Sequence, residues 1–461
     1  MNRRTRFFAG VLVVGALVAL TAFAGAAPAD LELKKLGDGA PGPDGQPPTD
    51  YLFRYCQPQT VVGQIGTSQD PNASRLMAMM APSTGTEKPD FDAVVTKDRD
   101  YESDAPFRGV LQLGDGFYGF AFDAVDAEED AAIPALNRMY VDLDGDGDMT
   151  DEEGLDAISS QSPNASYAIC SYDVLDITIE ADGVEFDYAV RPYVYAQNQP
   201  GFVLAYARFS ACAYRDGEIE LDGETHRVVL VDYNSNGIFN DKMNLSDSRR
   251  ITQGDRLYID PDASNVVSRG PIPGNGMYQV GPLLDLEGTL CDLTISASGT
   301  SVGLAPSERG IGYITNDIEN FQAVVFGELG VLTVTSEDGR AALPEGEWNI
   351  LSYTLDATGW EETEGEPQRT SASASSPTDA KPVTIVADED AEMTFGAPFR
   401  TVVDVQAASG ATTVSLGLTI LGSTGERCTS LYVNGARPPA PKFTITNEEG
   451  EVVDTGDFEY G

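Results

Sequence analysis

Histidine is almost missing from this chain, since His226 is the only one among 461 residues. His-rich zinc catalysis is therefore excluded. A Ser-His-Asp hydrolase would have to use His226, yet the sequence has no Gly-x-Ser-x-Gly elbow, and His226 lies in mid-strand between Thr225 and Arg227. Paired carboxylates, as in glycoside hydrolases, stay open as an alternative because 73 acidic residues offer many pairs. We predict no enzymatic activity.

Cysteine is scarce as well, with five residues and no Cys-x-x-Cys pair. This spacing excludes a redox motif and a zinc ribbon. In an oxidising compartment at most two disulfides can form and one cysteine is left over, but the spacing does not give the pairing. The five residues are Cys56, Cys170, Cys212, Cys291 and Cys428.

Basic residues are few compared with acidic ones. Lys and Arg number 29 against 73 Asp and Glu, which gives a net charge of −44. Such a field repels nucleic acids and anionic membrane surfaces, and it concentrates divalent cations. The sequence therefore predicts no nucleic-acid partner, while hydrophobic residues at 41% suffice for a packed core.

Long hydrophobic runs are limited to the N-terminus. Three arginines within the first six residues precede an apolar run over residues 7–23, and the small residues 24–26 fit a signal-peptidase site. We therefore predict a signal peptide over residues 1–26 and a secreted or periplasmic protein. No later segment approaches about 18 apolar residues, so we expect no membrane span after signal cleavage.

Acidic residues are concentrated in the twelve-residue segment 142–153, whose spacing is that of a calcium loop. Aspartates stand at positions 1, 3 and 5, Gly147 stands at position 6, and the apolar Met149 stands at position 8. Ca²⁺ takes about six to eight oxygen ligands, and this pattern supplies them around one sharp turn. The alternative is an acidic, glycine-rich surface turn without an ion. The predicted ligands are Asp142, Asp144, Asp146, Asp148 through its backbone carbonyl, Thr150 and the closing carboxylate of Glu153 at position 12.

The residues before this loop decide which kind of calcium site is predicted. Residues 137–141 are short, β-branched and aromatic, which predicts a strand and not the helix that enters a calcium sensor. A strand-entered loop has no helix pair that could swing open, so we predict a structural ion and not a switch.

A second copy of the pattern lies ninety residues further on, at Asp232–Asp241. Its position 6 is Gly237, but its position 12 is Met243, which cannot ligate calcium. The alternative is an Asx-rich turn held by its own side-chain hydrogen bonds. The predicted calcium ligands are Asp232, Asn234, Asn236, Ile238 and Asn240, and a closing carboxylate would have to come from Asp241, Asp247 or Asp255.

Both loops follow a predicted hairpin. Glycine and aspartate at residues 114–116 divide two strand-like runs before the first loop, and Asp222-Gly223 divides two before the second. Asp-Gly between alternating runs is a strong hairpin signal. The two copies are typical of a divergent internal duplication.

The predicted fold class is mainly β, with antiparallel sheet and sandwich units and strand-entered calcium loops of the EF-hand type. Four short strands at regular spacing predict a C-terminal Ig-like sandwich. One short helix is predicted at Ala73–Met80. The predicted units are the signal peptide (1–26), a disordered linker (27–50), a β domain with both calcium-type loops (51–265), a second β unit (266–360), an exposed low-complexity loop (361–382) and an Ig-like β-sandwich that lacks an expected last strand (383–461).

Aromatic residues point to a second kind of function. One strand-like run carries Tyr188, Arg191, Tyr193 and Tyr195. Ordinary sheet packing and an exposed aromatic platform for glycans are the two alternatives for this run. Trp348 is predicted as a core anchor, and Trp360 as an exposed ring beside the low-complexity loop.

Several segments together resemble one group of proteins. These segments are NRMYVDLDGDGDMTDEE (137–153), VVLVDYNSNGIFND (228–241) followed by GDRLYID (254–260), FQAVVFGELGVLTV (321–334) with LPEGEWNILSYTLD (343–356), and GDFEYG (456–461). Through them the chain resembles uncharacterised secreted bacterial β-rich proteins that carry EF-hand-type calcium loops, from about Phe91 onward. The resemblance implies an exported multi-domain β-protein with bound calcium, and it attaches no enzymatic activity.

The predicted function is that of a secreted calcium-binding β-protein with a structural or binding role at the cell envelope. Its expected partners are calcium and an envelope polysaccharide or protein. The alternative function is that of a calcium-dependent carbohydrate-binding module or a carboxylate-type glycoside hydrolase.

Overall fold

The fold is given by a computed structural model. Within the described residues the chain is mainly β and forms several antiparallel sheets, which confirms the predicted mainly β class. The predicted signal peptide and the predicted helix Ala73–Met80 lie outside these residues. The structure describes residues 28–36, 52, 56–65, 88–127, 133–164, 166–199, 201–221, 223–245, 251–252, 254–261, 276–286, 288–358, 369–377, 380–406, 413–433 and 435–459.

The described residues in the first part of the chain form strands of two to sixteen residues and include a helix of a single turn, α1 (Phe91–Val94). In chain order the strands are β1 (Ala29–Asp30), β2 (Glu32–Lys35), β3 (Gln59–Ile65), β4 (Phe107–Leu113), β5 (Gly116–Asp123), β6 (Arg138–Val141), β7 (Leu155–Asp156), β8 (Ser159–Asn164), β9 (Tyr167–Ser171), β10 (Leu175–Ala181), β11 (Val184–Gln199), β12 (Phe202–Ala211), β13 (Ala213–Leu221), β14 (Glu224–Val231), β15 (Asn244–Leu245), β16 (Ile251–Thr252), β17 (Arg256–Ile259), β18 (Met277–Gln279), β19 (Leu283–Leu286), β20 (Thr289–Ile295) and β21 (Ser301–Pro306).

Four sheets of this part pack around one hydrophobic core, which includes buried residues from Leu31 to Leu304. Their strand orders are β3-β12-β11-β9-β8 with β10 on β11, β18-β17-β14-β13-β2, β4-β5-β6-β7, and β1-β21-β20-β19. Strand β10 shows how the sequence builds this core, because its side chains alternate between buried and exposed from Leu175 to Ala181. Each large apolar side chain buried in this way stabilises the fold by roughly 1.5–3 kcal/mol.

Two predicted boundaries in this part are wrong. The core continues past residue 265, so β19 to β21 belong to the first unit and not to a separate second one. Within the predicted linker, residues 28–36 form β1 and β2, which extend β21 and β13. Leu31 between these strands is buried. Ladder hydrogen bonds and the burial of this one leucine order the start of a region that was predicted as a linker from the Gly- and Pro-rich composition of residues 28–48.

The second part of the chain is also made of strands. In chain order they are β22 (Ile311–Thr315), β23 (Phe321–Gly327), β24 (Gly330–Ser336), β25 (Arg340–Pro344), β26 (Gly346–Thr358), β27 (Arg369–Ser375), β28 (Val383–Ile385), β29 (Asp390–Glu392), β30 (Arg400–Gln406), β31 (Ser415–Leu421), β32 (Arg427–Val433), β33 (Lys442–Thr446) and β34 (Val452–Asp457).

An eight-stranded sheet organises this second part, in the order β24-β23-β26-β27-β32-β31-β30 with β28 on β26. A second core lies against it and includes Trp348, which is fully buried and donates a hydrogen bond from Nε1 to the Pro344 carbonyl at 2.8 Å. The first and second parts meet where Met243 packs on Val324, Phe326 and Val331.

The predicted low-complexity loop is wrong over Arg369–Ser375, because this segment is β27, an internal strand of the eight-stranded sheet. Ala372 and Ala374 are buried, and Ser373 between them is not. Alternating alanine and serine thus satisfy the period of a strand although the segment has no large apolar residue. Trp360 lies outside the described residues.

The predicted separate Ig-like sandwich over 383–461 does not match the strand pairing. Strands β30 to β32 continue the eight-stranded sheet through β27, β28 pairs with β26, and β29 pairs with β22. Strands β33 and β34 form a hairpin. Among the described residues beyond Arg400 no apolar side chain is buried, so these strands have no core of their own and depend on the preceding sheet.

The five cysteines all lie within the described ranges, and none of them forms a disulfide there. In the same part of the chain, no helix is long and apolar enough to cross a membrane.

Candidate metal site

The two predicted calcium loops are framed in the same way. Loop 1 (residues 142–153) joins β6 to β7, which pair antiparallel with Met139 opposite Leu155. Loop 2 (residues 232–241) begins at the end of β14, and β14 pairs antiparallel with β17 with Val231 opposite Arg256. A strand therefore enters each loop, as the sequence predicts, and a strand paired with it follows.

The backbones of the two loops turn in the same way. Positions 4 and 6 have a positive φ in both, with 71° at Gly145 and 81° at Gly147 in loop 1, and 61° at Ser235 and 79° at Gly237 in loop 2. A Cβ on Gly147 would lie 2.7 Å from the Val94 carbonyl oxygen. Only glycine avoids this contact and adopts the left-handed conformation without strain, which explains the glycine at position 6.

Loop 1 brings three carboxylates together. Oxygens of Asp142, Asp144 and Glu152 all lie within 4.8 Å of one another. Asp142 is fully buried; its Oδ2 accepts a hydrogen bond from the Gly147 N–H at 3.0 Å, and its Oδ1 has no donor among the described residues. A buried oxygen without a partner costs about 1–3 kcal/mol, and more when the group is charged. The Asp142 carboxylate is therefore only partly satisfied, because Oδ2 has a donor and Oδ1 has none among the described residues.

The pKa shifts of the clustered carboxylates also indicate that their negative charge lacks compensation. Burial raises the pKa of Asp142, hydrogen bonds from backbone N–H groups oppose this rise, and the charges of Asp144 and Asp146 add to it. Burial also raises the pKa of Glu152, again with neighbouring aspartates contributing. Carboxylates that repel one another in a partly desolvated loop favour binding of a cation, which would hold them in their charged form.

Glu152, at position 11, is the glutamate that lies beside Asp142 and Asp144, whereas the sequence predicts Glu153, at position 12, as the closing carboxylate. Glu153 is exposed and is not one of the three carboxylates that come together. Glu152 accepts a hydrogen bond from the Leu143 N–H at 2.8 Å, and its backbone carbonyl accepts one from the Arg99 guanidinium at 2.8 Å. These two contacts fix the closing residue against the start of the loop.

The remaining predicted ligands of loop 1 brace the turn. Asp146 accepts a hydrogen bond from the Asp148 N–H at 2.7 Å, and Asp148 accepts one from the Thr150 N–H at 2.9 Å. Asp148 also forms an ion pair with Lys97 at 2.5 Å, and this hydrogen bond lowers the Asp148 pKa to about 2. These side chains stay with protein partners and are not in the three-carboxylate cluster.

A neighbouring segment ties loop 1 to the sheet. The backbone N–H groups of Thr96 and Lys97 donate to the Gly147 carbonyl at 2.9 and 3.0 Å, and the Met149 N–H donates to the Lys97 carbonyl at 2.9 Å. Met149, at the apolar position 8, is fully buried and packs with Val95. The loop is thus held from outside by contacts that do not involve its carboxylates.

Loop 2 satisfies its first carboxylate with protein donors. Asp232 is fully buried. Its Oδ1 accepts a hydrogen bond from the Ser235 N–H at 2.7 Å, and its Oδ2 accepts from the Gly237 N–H and the Tyr188 hydroxyl, both at 2.6 Å. Burial raises the pKa of Asp232 to about 7. Both oxygens of this aspartate therefore have partners, unlike those of Asp142.

Two other aspartates converge on loop 2. The amide groups of Asn234 and Asn236 donate to Asp241 Oδ2 at 2.8 and 2.7 Å. Asp255, just before β17, is fully buried and accepts from the backbone N–H groups of Tyr233 and Asp241 at 2.9 and 2.8 Å. Both were predicted candidates for a closing carboxylate, and the third, Asp247, lies outside the described residues.

The other predicted ligands of loop 2 also have protein partners. The Ile238 N–H donates to Asn236 Oδ1 at 2.8 Å, and the Asn240 amide donates to the Ile295 carbonyl at 3.2 Å. The Asn234 carbonyl oxygen is the one side-chain oxygen of this loop that is buried without a partner in the described part of the chain.

The aromatic run on β11 divides between core and surface. Tyr188 is buried, whereas Tyr195 is half-buried and stacks between two tyrosines, with ring centroids 5.7 Å from Tyr167 and 4.7 Å from Tyr206. Both faces of the Tyr195 ring are therefore covered by other rings. A sugar ring that stacks on an aromatic needs a free face, and Tyr195 does not offer one.

His226 lies on β14 near the surface. Its Nδ1 is 2.7 Å from Asp260 Oδ2, and the Arg227 N–H donates to the other oxygen of Asp260 at 2.9 Å. Through these contacts His226 connects the start of β14 to the end of β17.

Comparison of the chain with protein-family models, with curated proteins and with solved structures found no match.

Proposed function

We propose that the protein binds one structural Ca²⁺ in loop 1 through Asp142, Asp144 and Glu152. The observation that carries the proposal is the Asp142 Oδ1, which is buried without a hydrogen-bond donor beside two further carboxylates. Two oxygens on opposite sides of a Ca²⁺ lie at most about 4.8 Å apart, because Ca–O distances are about 2.4 Å. The spacing of the three carboxylates thus fits one ion of this size.

Calcium is favoured over magnesium by the ligand set. Mg²⁺ demands near-octahedral geometry at about 2.1 Å and usually keeps several waters. Loop 1 instead offers three protein carboxylates around an irregular turn, which suits the larger and less regular coordination of Ca²⁺.

The ion in this proposal is structural. Loop 1 joins two paired strands and is tied to the segment around Lys97 by backbone hydrogen bonds, so no helix pair is present that calcium could open. Its role is to neutralise the loop and to stabilise the edge of the β4-β5-β6-β7 sheet.

At the level of the whole protein, we propose a secreted or periplasmic β-protein with a structural or binding role at the cell envelope. The N-terminal signal-like segment, the acidic composition and the resemblance to secreted β-proteins with EF-hand-type loops support this proposal. A carbohydrate-binding role has less support, since Tyr195 in the centre of the tyrosine stack presents no free ring face.

Unfolding in calcium and in EDTA tests the ion. A ligand that binds only the folded state at a hundred times its dissociation constant stabilises that state by about 2.7 kcal/mol. We expect urea unfolding to show an increase of about this size in calcium over EDTA, and magnesium at the same concentration to give a smaller one. Equal unfolding curves in calcium and EDTA would rule out the calcium proposal.

A further inference from the structure

The eight-stranded sheet ends in an open edge at β30. This strand pairs with β31 along all seven of its residues and is the last strand in the sheet order. Each of the seven is exposed, and the exposed fractions reach 51% at Val403 and 59% at Val405. In an edge strand, alternate backbone N–H and C=O groups point away from the sheet without a partner. Within the described ranges nothing pairs with this side of β30.

This edge lacks the usual protection against pairing. Proteins block open edges with lysine, proline, a bulge or a covering element. The sequence of β30 is RTVVDVQ, which has neither lysine nor proline, and its register with β31 is unbroken. Residues 400–437 carry three arginines against Asp404 and Glu426, a net charge of +1 in a chain of −44. The edge thus combines three valines with one arginine and one aspartate, and it is close to neutral in an otherwise strongly acidic protein.

The sequence of β30 is complementary to itself in one antiparallel register. Two edges can pair only through residues whose N–H and C=O groups both point outward, so a two-fold axis must pass through a single residue. An axis at Val402 places Arg400 opposite Asp404 twice and Thr401 opposite Val403. An axis at Val403 would instead place Val402 opposite Asp404, and an axis at Asp404 would place two aspartates together. Opposite charges across a strand pair stabilise it and like charges destabilise it, so the Val402 register is selected.

We propose that β30 pairs antiparallel with β30 of a second copy of this chain, around a two-fold axis at Val402. The eight-stranded sheets of the two copies then form one continuous sheet, and Val402 and Val403 lose exposure at the join. The two symmetric Arg400–Asp404 pairs argue for a second copy over an unrelated strand, because one surface supplies both halves of the contact.

The size of the contact and the charge of the protein set its strength. Two short strands bury less than about 1,200 Å², which is the range of weak, reversible contacts. Two copies of a chain with a net charge of −44 repel each other at a distance, and salt screens this repulsion. The dimer is therefore expected to strengthen as salt rises from about 0.05 to about 0.5 M.

Charge reversal at the two paired positions tests the register by sedimentation equilibrium. Arg400→Asp and Asp404→Arg each turn two attractive pairs into two repulsive ones, so each should raise the dimer dissociation constant about tenfold, equivalent to about 1.4 kcal/mol. The double variant restores opposite charges and should return to the wild-type constant. Net charge alone predicts that Asp404→Arg strengthens the dimer, because the chain becomes less negative. Glu448→Arg makes the same net change at an exposed residue on the β33–β34 turn and is the matched control.

A measurement on the unchanged chain keeps the test independent of how the variants fold. Hydrogen exchange at low and high protein concentration should show added protection confined to residues 400–406. A chain that stays monomeric at high concentration and high salt overturns the proposal. So does a dimer that both single variants leave intact, one that Asp404→Arg strengthens as Glu448→Arg does, or one that the double variant fails to restore.

Discussion

Loop 1 and loop 2 have the same backbone but satisfy their first aspartate in different ways. Both place a buried aspartate at position 1 and residues with positive φ at positions 4 and 6. In loop 2 both oxygens of Asp232 accept hydrogen bonds from the protein, including one from Tyr188. In loop 1 one oxygen of Asp142 has no donor in the described part of the chain. The same turn therefore satisfies its first aspartate fully in loop 2 and only partly in loop 1.

The neighbouring residues account for the difference. Loop 2 carries asparagines at positions 3 and 5, whose amide groups donate to Asp241, so these positions reduce the negative charge and supply donors. Loop 1 carries aspartates there, which can only accept when ionised. We infer that loop 1 depends on calcium for its stability and that loop 2 depends on its internal hydrogen bonds.

Replacing the position-1 aspartate in each loop should give the largest effects and the sharpest contrast. Asp142→Ala should abolish the calcium-dependent increase in unfolding free energy, about 2.7 kcal/mol at saturating calcium. Asp232→Ala should leave that increase in place. It should lower the free energy of unfolding by about 1–3 kcal/mol equally in calcium and EDTA, because buried N–H groups lose their acceptor. Urea unfolding of both variants in both buffers checks this. A calcium-dependent loss in Asp232→Ala would mean that loop 2 also binds the ion.

Two adjacent glutamates provide a smaller and more specific test. Glu152→Gln removes a charged ligand and should weaken calcium binding at least tenfold, or about 1.4 kcal/mol, measured by calorimetry. Glu153→Gln makes the same chemical change one residue later on an exposed side chain and should leave the affinity unchanged. The opposite result would favour the sequence-based position 12 over the geometry of the structure.

The pH dependence of calcium binding should be the smallest of the three predicted effects. The folded apo state holds protons on Asp142 and Glu152 more tightly than the unfolded chain does, because both pKa values are raised. These protonated groups favour the apo fold at low pH, and that contribution is lost as pH rises from the ordinary carboxyl range through the raised values. Calcium needs the ionised groups, so its affinity should fall as pH is lowered through the same window. Calorimetry between pH 7 and about pH 5 measures this, and an affinity that rises on acidification would contradict it.

The sequence predicted the first two members of the loop 1 cluster because they are close together in the chain, whereas its other predicted ligands lie outside the cluster. Asp142 and Asp144 follow directly from the spacing, and the strand before them follows from short-range pattern. The choice between Glu152 and Glu153 depends on where β7 begins, and that is set by its pairing with β6, which a spacing rule does not contain. In loop 2 the spacing predicted the turn, but not the Tyr188 hydroxyl, which comes from β11 through the tertiary fold.

The boundaries between units were harder to predict for a similar reason. Strands β1, β2 and β27 are too poor in large apolar residues to stand out, and they are ordered by the strands beside them. Likewise, the regular spacing of the strands beyond residue 400 predicted a separate sandwich. In the structure β32 instead pairs with β27 and so extends the existing sheet. Local pattern identifies strands, but long-range pairing decides the sheet to which each belongs.

The most direct test of the difference between the loops is a crystal structure with calcium and anomalous diffraction data. The account predicts one anomalous peak in loop 1, about 2.4 Å from oxygens of Asp142, Asp144 and Glu152, and none beside Asp232. A peak in loop 2 of equal height, or none in loop 1, would contradict it.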